Sequence, residues 1–295
     1  MPKSAVIKAM RLSEQPTIVV SFLYGFLDLG VFPKVGTIQY LSVGLGLVLI
    51  SIGSFVLNEF SDKATDTLRA DRQPSKISRK TTLLTVLSLV IPGMLLGIYG
   101  GAPLCASGAC AFGILYSLPG IYLKKRVFLD LVALGFSFVV FPYLAPREIL
   151  ASHLQTIHVP PIALLNLAFL ILFLSVCNLI AMIRDIDADA QAGIRNTTVR
   201  IGLENSLRLG LSLTVVAYII GAILVYQRAH WWYYPLFLCI PIVVGIYGIG
   251  LGARPDRDKV NLYFSSSARV GIATGNMLAA LLLLVILTVL AVLSY

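Results

Sequence analysis

The chain has 295 residues, of which 58% are hydrophobic and only 13% are Asp, Glu, Lys or Arg. Soluble domains carry about 25% charged residues, so this composition excludes an ordinary water-soluble globule, and it excludes a disordered chain because such chains are poor in hydrophobic residues. The 23 Lys and Arg exceed the 14 Asp and Glu, which gives a net charge of +9.

The hydrophobic residues occur in runs long enough to cross a bilayer as helices, which takes about 20 residues each. The sequence predicts an all-α, multi-pass membrane protein with nine transmembrane helices in a single domain over residues 1–295. The predicted spans lie near residues 15–32, 38–57, 81–99, 101–119, 127–145, 161–182, 206–227, 233–252 and 270–294.

The positive charges fall almost entirely on one side of these spans. Twenty of the 23 Lys and Arg lie on the side of the N-terminus, and only Lys34, Arg147 and Arg228 lie on the other side. Because positive charge is retained on the cytoplasmic face, this distribution predicts a cell-membrane protein with a cytoplasmic N-terminus. The same bias accounts for most of the net charge, so no nucleic-acid partner is predicted. Twelve of the 14 acidic residues lie on the cytoplasmic side as well, which topology does not require.

The first group of these acidic residues follows the second predicted span, in the cytoplasmic segment 58–80. Asn58, Asp62 and Asp66 are four residues apart, and a helix places such positions on one face, with a drift of about 40° per step. Neighbouring carboxylates repel each other unless a cation lies between them. Ligand sets made only of oxygen favour Mg²⁺ or Ca²⁺ over zinc.

A second acidic motif follows the sixth predicted span, in the cytoplasmic segment 184–204. Asp185 and Asp189 repeat the four-residue spacing, and Asn178, seven residues before Asp185, shares their helical face. The chain therefore resembles two similar four-helix halves followed by a ninth helix. Pseudo-repeats of this kind place binding sites where the halves meet, so the four aspartates are expected to converge on one metal site.

The charges around the motifs indicate what such a site would bind. Mg²⁺ is usually held by a few carboxylates together with the phosphate groups of a substrate. The same cytoplasmic segments offer candidate cations for phosphate, which are Lys63, Arg69, Arg72, Lys124, Lys125 and Arg184. Acidic residues for a metal and basic residues for phosphate, beside an apolar helical bundle, indicate a pocket for a lipid diphosphate.

These motifs resemble those of the UbiA superfamily of intramembrane prenyltransferases, and the resemblance covers most of the chain. That family has nine helices, an NxxxDxxxD motif after the second and a DxxxD motif after the sixth. The matching residues here are Asn58, Asp62 and Asp66, then Asp185 and Asp189. Residues 192–202 are similar to the segment that follows the family's second motif, and Tyr116-Ser117-Leu118-Pro119 with Lys124-Lys125 resembles its YSxP segment followed by Lys-Arg.

The resemblance implies an enzyme that moves a prenyl group from an allylic polyprenyl diphosphate to an aromatic quinone precursor or a lipid-like acceptor. It implies that Mg²⁺, held by Asp62, Asp66, Asp185 and Asp189, binds the diphosphate and that pyrophosphate departs. Asn58 would assist the first pair of aspartates, and Lys124, Tyr116 and Arg72 would lie near the leaving group. Arg69 is an alternative to Arg72, because the arginine of the family pattern is displaced here. Asn178 and Arg184 complete the expected substrate-binding residues.

Two other functions remain open at this stage. A terpene cyclase on the same scaffold would ionise the same donor and quench the cation internally. A cation-coupled transporter would use the acidic residues as ion ligands, although its site would lie near the membrane midplane rather than at one face.

Overall fold

The computed structural model describes residues 3–12, 15–29, 37–67, 77–154, 159–227, 234–253, 259–260 and 263–264. Within these ranges the regular structure is helical throughout and contains no strand, which confirms the predicted all-α class. The physical reason is that a chain segment in hydrocarbon must satisfy its own backbone hydrogen bonds, and a helix does so within one segment.

The first half of the chain supplies six helices. They are α1 (Lys3–Ala9), α2 (Pro16–Leu27), α3 (Thr37–Ser61), the one-turn helix α4 (Lys63–Asp66), α5 (Arg79–Tyr99) and α6 (Pro103–Ser117).

A short 3₁₀ turn at Leu123–Lys125 leads into the second half. There α7 (Leu129–Gly135), a π-helical turn at Phe136–Val140 and α8 (Phe141–Leu154) follow one another without a break. The remaining helices are α9 (Pro161–Arg184), the short α10 (Ile186–Gln191), α11 (Thr197–Tyr226) and α12 (Tyr234–Ala253).

Five helical segments are long and apolar enough to cross a bilayer, and they occupy the predicted second, third, fifth, sixth and seventh spans. They are residues 37–61, 79–99, 129–153, 161–184 and 197–226. Shorter apolar helices lie at the first, fourth and eighth predicted positions, over Pro16–Leu27, Pro103–Ser117 and Val243–Gly252. The predicted ninth span, 270–294, lies outside the described residues, so the count of nine and the cytoplasmic N-terminus stay predictions.

One face of α5 is apolar and exposed along most of its length. Its side chains are between 44% and 61% exposed and follow one another at three or four residues, at Leu84, Leu87, Ile91, Leu95 and Ile98. A continuous apolar face of this size is rare on a soluble protein, whereas contact with lipid chains explains it. The α5 face therefore supports a multi-pass membrane protein.

The opposite face of α5 packs tightly on α3, and the contact between these two helices is the most extensive in the fold. At their crossing, a Cβ atom on Gly46 would lie 2.6 Å from the carbonyl oxygen of Gly93, and a Cβ atom on Gly93 would lie 2.7 Å from that of Gly46. Only glycine permits this approach, which is the usual way that helices associate where lipid supplies no hydrophobic driving force. The crossing fixes α3, which carries the first acidic motif.

The second motif is fixed by the packing of α9 on α11, the next most extensive helix contact. Leu179 and Leu207 are fully buried between these helices together with Tyr247 of α12, whose hydroxyl donates to the carbonyl of Val176 at 2.6 Å. Among the described residues, the helices at the second and third predicted spans of each half are thus the ones with the most extensive contact.

Candidate active site at the ends of α3 and α9

The first acidic motif lies at the end of α3 and is held by a group of short hydrogen bonds. The side-chain amide of Asn58 donates to Asp62 Oδ2 at 2.8 Å. The Asn58 Oδ1 atom accepts from Ser117 Oγ at 2.7 Å and from Lys124 Nζ at 3.2 Å. Asn58 and Asp62 therefore form one unit, which is tied to the end of α6 and to the 3₁₀ turn that follows it.

Lys124 is the central cation of this unit. It is a buried residue of the 3₁₀ turn, and its ammonium group forms an ion pair with Asp62 Oδ1 and donates to Ser61 Oγ. Burial lowers the pKa of the Lys124 ammonium below its ordinary value, while the negative charge of Asp62 acts in the opposite direction. A buried ammonium group of this kind is a strong partner for an anionic ligand, because little water competes with it.

The second acidic motif lies where α9 passes into α10. Asp185 ends α9, and both of its carboxylate oxygens accept hydrogen bonds from the guanidinium of Arg184, at 2.7 and 2.9 Å. Asp189, one turn further along in α10, accepts a hydrogen bond of 2.7 Å from the side-chain amide of Asn196. Each aspartate of the motif is thus oriented by a specific donor.

The two motifs are brought to the same end of the bundle. The short helices α4 and α10, which carry Asp66 and Asp189, are in contact with each other. Lys124 and Tyr116 each lie close enough to both Asp62 and Asp189 to interact with their charges. Residues that are 127 positions apart in the chain, Asp62 and Asp189, therefore flank a common region, as the predicted repeat requires.

The described residues do not, however, include any group of three acidic, His or Cys side chains placed together as metal ligands. Like charges repel, and in the structure three of the four motif aspartates are held by donors of their own, namely Lys124 on Asp62, Arg184 on Asp185 and Asn196 on Asp189. The convergence of all four carboxylates on one ion accordingly stays a prediction.

An apolar pocket of about 290 Å³, including its open mouth, begins directly beside Asn58 and Tyr116. It runs into the bundle between α3, α6 and the α7 segment. Three phenylalanines line it together with small residues, and these lining residues are Ser54, Phe55, Phe112, Gly113, Ala133, Leu134, Ser137 and Phe138. The pocket surface is therefore almost entirely apolar, and the pocket adjoins the first acidic motif at Asn58.

Two serines in the pocket wall leave it apolar, because their hydroxyl groups already donate hydrogen bonds to backbone carbonyls. Ser54 Oγ donates to the carbonyl oxygen of Ile50 at 3.0 Å, and Ser137 Oγ donates to that of Ala109 at 3.0 Å. Ser137 belongs to the π-helical turn, and such turns are frequent at functional sites because they change the direction of side chains. A hydrocarbon chain would meet no competing hydroxyl donor from these two residues.

A further cation approaches the pocket from the segment that precedes the first span. The Nε and Nη2 atoms of Arg11 donate to Glu59 Oε2 at 3.2 and 3.0 Å. The guanidinium carbon lies 5.8 Å from the centre of the Phe55 ring, which is part of the pocket wall. Arg11 has a positive φ of 41°, a strained conformation for a residue other than glycine, so its side chain is held at this position by the surrounding contacts.

The other predicted site residues have different placements. Asp66 is buried in α4, and Tyr116 lies in the last turn of α6 and lines the pocket. Asn178 lies two turns before the end of α9, and the described contacts join it to neither Asp185 nor Asp189 by a hydrogen bond. The alternatives Arg69 and Arg72 lie outside the described residues.

Several residues of the site escaped the sequence analysis. Ser61 and Ser117 bind the first motif, and Asn196 orients the second. A signal for Asn196 was present, because Asn is a preferred residue immediately before a helix and Thr197 begins α11. No role follows from the sequence for Asp130, which is buried in the first turn of α7.

Comparison with known families gives one match for the chain, the family model described as UbiA prenyltransferase family, over residues 17–270. A comparison with curated proteins finds no match.

Solved structures share the fold. A UbiA homolog from Archaeoglobus fulgidus bound to DMAPP and Mg²⁺ has a TM-score of 0.66 at 17% identity, with 93% of this chain and 99% of that chain covered. The same homolog bound to GPP and Mg²⁺ also gives 0.66 at 17% identity, over 94% and 99% of the two chains. The apo structure of a UbiA homolog from Aeropyrum pernix K1 gives 0.67 at 15% identity, over 93% and 98%.

Proposed function

The chain belongs to the UbiA prenyltransferase family, and on this premise we propose that it is a Mg²⁺-dependent intramembrane prenyltransferase. It would transfer a prenyl group from an allylic polyprenyl diphosphate to a hydrophobic or aromatic acceptor and release pyrophosphate. The observation that carries the proposal is the position of Lys124, a buried ammonium group that is paired with Asp62 and bonded to Asn58 in the wall of an apolar pocket.

The chemistry of the aspartates fits a magnesium ion. Asp62, Asp66, Asp185 and Asp189 offer carboxylate oxygens, which are the ligands that this hard cation prefers, and relatives of this fold bind Mg²⁺ together with DMAPP or GPP. When bound, the ion would neutralise the charge that develops on the departing pyrophosphate. Asn58 and Asn196 would keep the oxygens of Asp62 and Asp189 in fixed orientations.

The residues of the chain would perform the remaining tasks around the leaving group. The Lys124 ammonium would face the diphosphate and stabilise its increasing negative charge, an effect that is strong where water is excluded. Tyr116 at the pocket mouth would lie beside the same group, and Arg184, paired with Asp185, would be available for a phosphate oxygen. A guanidinium group can hold a phosphate and a carboxylate at once because it has five N–H donors.

The isoprenoid chain of the donor would occupy the apolar pocket. Phe55, Phe112 and Phe138 give the pocket aromatic walls, and the serine hydroxyls in these walls donate to backbone carbonyls. An allylic carbocation formed at the mouth would therefore be shielded from water until the acceptor attacks it. We further propose that the active site faces the cytoplasm, as the distribution of Lys and Arg predicts.

The proposal can be tested with the full chain purified in detergent or nanodiscs and supplied with DMAPP or GPP, Mg²⁺ and a panel of phenolic and glycerol phosphate acceptors. We expect pyrophosphate release and a prenylated product by mass spectrometry, both abolished by EDTA. Asp62→Asn and Asp185→Asn should each reduce turnover at least about 100-fold, the scale seen when an electrostatic catalytic contact is removed. Undiminished turnover in EDTA would refute the mechanism.

Asp187→Asn is the matched control, because Asp187 lies in the same helical turn as Asp185 and Asp189 but falls outside the four-residue spacing of the motif. We expect it to retain turnover within about threefold of the wild type, because a helix turns about 100° per residue and so places Asp187 about 200° from Asp185. A cyclic product formed from the donor alone would instead identify a terpene cyclase. Cation counterflow without any consumption of diphosphate would identify a transporter.

A further inference from the structure

We propose that Asp130 is a positioning residue, which holds the turn carrying Lys124 against the segment carrying Asn196 and thereby fixes Lys124 and Asp189 relative to each other. The inference rests on the proposed function for its catalytic consequence. Its structural part, the coupling of two segments by one buried carboxylate, is independent of that function and can be tested separately.

Asp130 lies in the first turn of α7 and is fully buried. Its Oδ2 atom accepts a hydrogen bond from the backbone N–H of Thr197 at 2.7 Å. Its Oδ1 atom accepts from the Thr197 hydroxyl at 2.6 Å and from the backbone N–H of Leu131 at 2.8 Å. Thr197 is fully buried as well, so neither partner is replaced easily by water.

The Thr197 hydroxyl also accepts a hydrogen bond, from the backbone N–H of Phe128 at 2.7 Å. Phe128 has a φ of 63°, in the left-handed region that residues other than glycine seldom adopt. Such a conformation persists where the surrounding contacts determine it, and the bond from Phe128 to Thr197 is a contact of this kind. The chain between Lys124 and Asp130 is therefore shaped by a residue of the second half of the protein.

On the other side of the contact, Thr197 is directly preceded by Asn196. Asn196 caps α11 by accepting a hydrogen bond from the backbone N–H of Val199 at 3.0 Å, and its amide donates to Asp189 at 2.7 Å. The carboxylate of Asp130 accepts the first backbone N–H group of α11, which has no acceptor within the helix itself. A continuous chain of contacts thus runs from Asp130 through Thr197 and Asn196 to Asp189.

The position of this series of contacts explains why it affects catalysis and not only packing. Lys124 lies four residues before Phe128, so the contact between Asp130 and Thr197 is the point at which the Lys124 turn is anchored to the second acidic motif. Catalytic groups supplied by two separate parts of the chain need such an anchor, since a displacement of about 1 Å can reduce turnover as much as 100-fold.

A second buried acidic residue supplies the matched control. Asp28, at the end of α2, accepts hydrogen bonds from Tyr143, Arg147 and Asn166 and joins α2 to α8 and α9. It resembles Asp130 in burial and in the number of its donors, but its contacts lie at the opposite end of α9 from the second acidic motif. Loss of Asp28 should therefore cost stability without changing the geometry around Lys124.

The experiment compares Asp130→Asn, Thr197→Val, Thr197→Ser and Asp28→Asn in the full chain. Hydrogen exchange measured by mass spectrometry should rise in Asp130→Asn and Thr197→Val in two places together, the segments 122–130 and 189–199. Thr197→Ser, which keeps the hydroxyl, and Asp28→Asn should leave both segments protected as in the wild type. Faster exchange in only one segment, or equal exchange in Asp130→Asn and Asp28→Asn, would overturn the proposal.

The catalytic consequence is measured on the same variants. Asp130→Asn and Thr197→Val should lower kcat/KM for the diphosphate about tenfold and raise the Mg²⁺ concentration for half-maximal rate about tenfold, as loss of a group that orients metal ligands does. The double variant should lose much less than the sum of the two single losses, because both substitutions disrupt the same contact between residues 130 and 197. If kcat/KM fell only as far as the loss of thermal stability explains, and the Mg²⁺ concentration for half-maximal rate were unchanged, the catalytic role of Asp130 would be overturned. If hydrogen exchange rises in both segments of the variants but the wild-type protein has no prenyltransferase activity, the proposed function is refuted and the structural role of Asp130 is retained.

Discussion

The side-chain amide of Asn196 donates a hydrogen bond of 2.7 Å to Asp189, seven residues before it in the chain. The first motif contains the equivalent bond, from Asn58 to Asp62, at 2.8 Å. In the first motif the donor precedes the aspartate by one helical turn, whereas in the second the donor follows it across a loop. The two halves thus reach the same local chemistry, an amide donor on one carboxylate oxygen, by different routes.

This relationship predicts separate effects for the two functions of Asn196. Asn196→Ala removes both the helix cap and the amide donor, so it should reduce stability by about 1 kcal/mol and kcat/KM about tenfold. Asn196→Ser keeps an oxygen that can cap α11 but has no amide to offer Asp189. We expect the serine variant to melt like the wild type and to turn over like the alanine variant. Wild-type turnover in Asn196→Ser would contradict an orienting role for the amide.

Lys124 is predicted to be the most sensitive cation of the site. Lys124→Met removes the positive charge that faces Asp62 while keeping most of the side-chain volume. We expect kcat to fall about 100-fold or more, the usual effect of removing a charge that stabilises a transition state in a site shielded from water. Stability should fall as well, since removing one member of a buried ion pair leaves the other uncompensated. Pyrophosphate release under saturating donor measures the first effect, and thermal unfolding measures the second.

Lys125 provides the comparison for this variant. It is adjacent in sequence, is less buried than Lys124 and lies with its ammonium 4.5 Å from the centre of the Tyr122 ring. Lys125→Met removes the same charge from the same 3₁₀ turn, yet it should change kcat by no more than about threefold, because a cation that is more accessible to water contributes less. Equal losses in the two variants would show that Lys124 acts through the general charge of the turn.

Much of this arrangement follows from the sequence, because its determinants are local or periodic. Long apolar runs predict the helices, and the four-residue spacing of Asn58, Asp62 and Asp66 predicts a shared face, since the period of a helix is fixed. Lys124 was a candidate phosphate cation from its cytoplasmic position, and its place near the leaving group, implied by the family motif, stays a prediction. The bounds of α3, α5 and α9 agree with the predicted spans to within about four residues, whereas the segment 129–153 ends about eight residues late and α11 begins about nine residues early.

The start of α11 could be predicted only in part from the sequence. The apolar run predicted a span from residue 206, whereas the helical segment begins at Thr197, where Asn196 caps it and Asp130 accepts its first N–H group. Gly202, with a φ of 81°, interrupts this segment, so its first turn is separate from the long helix that follows. The cap is a local signal that could have been read. The contact with Asp130 joins residues 67 positions apart, and no periodicity of a single sequence encodes such a pairing. The partner of Asp189 was missed for a related reason, since Asn178 shares its helical face whereas Asn196 reaches it across a loop.

The ion pair between Arg11 and Glu59 is predicted to hold the N-terminal segment against α3. Both side chains are largely buried, and Arg11 also lies near the Phe55 ring. Arg11→Ala should reduce stability by about 1–3 kcal/mol, because it leaves the Glu59 carboxylate without its charged donor. Arg208→Ala is the control, since Arg208 and Glu204 form an exposed pair on α11 that should contribute less than about 0.5 kcal/mol. Thermal unfolding of the two variants in the same detergent measures the two losses of stability, and equal losses would contradict the prediction.

Gly113 is predicted to limit the length of the isoprenoid chain that the pocket accepts. It lines the pocket, and a Cβ atom at this position would lie 2.4 Å from Ser54 Oγ and 3.1 Å from Ser137 Oγ. Gly113→Ala should therefore narrow the pocket beneath its mouth and lower kcat/KM for GPP and longer donors about tenfold, whereas DMAPP, with a single prenyl unit, should lose no more than about threefold. Gly135→Ala is the control, because a Cβ atom there would meet only Ile171, at an ordinary distance of 3.7 Å. A uniform loss for all donors in Gly113→Ala would show that the substitution disturbs the site as a whole.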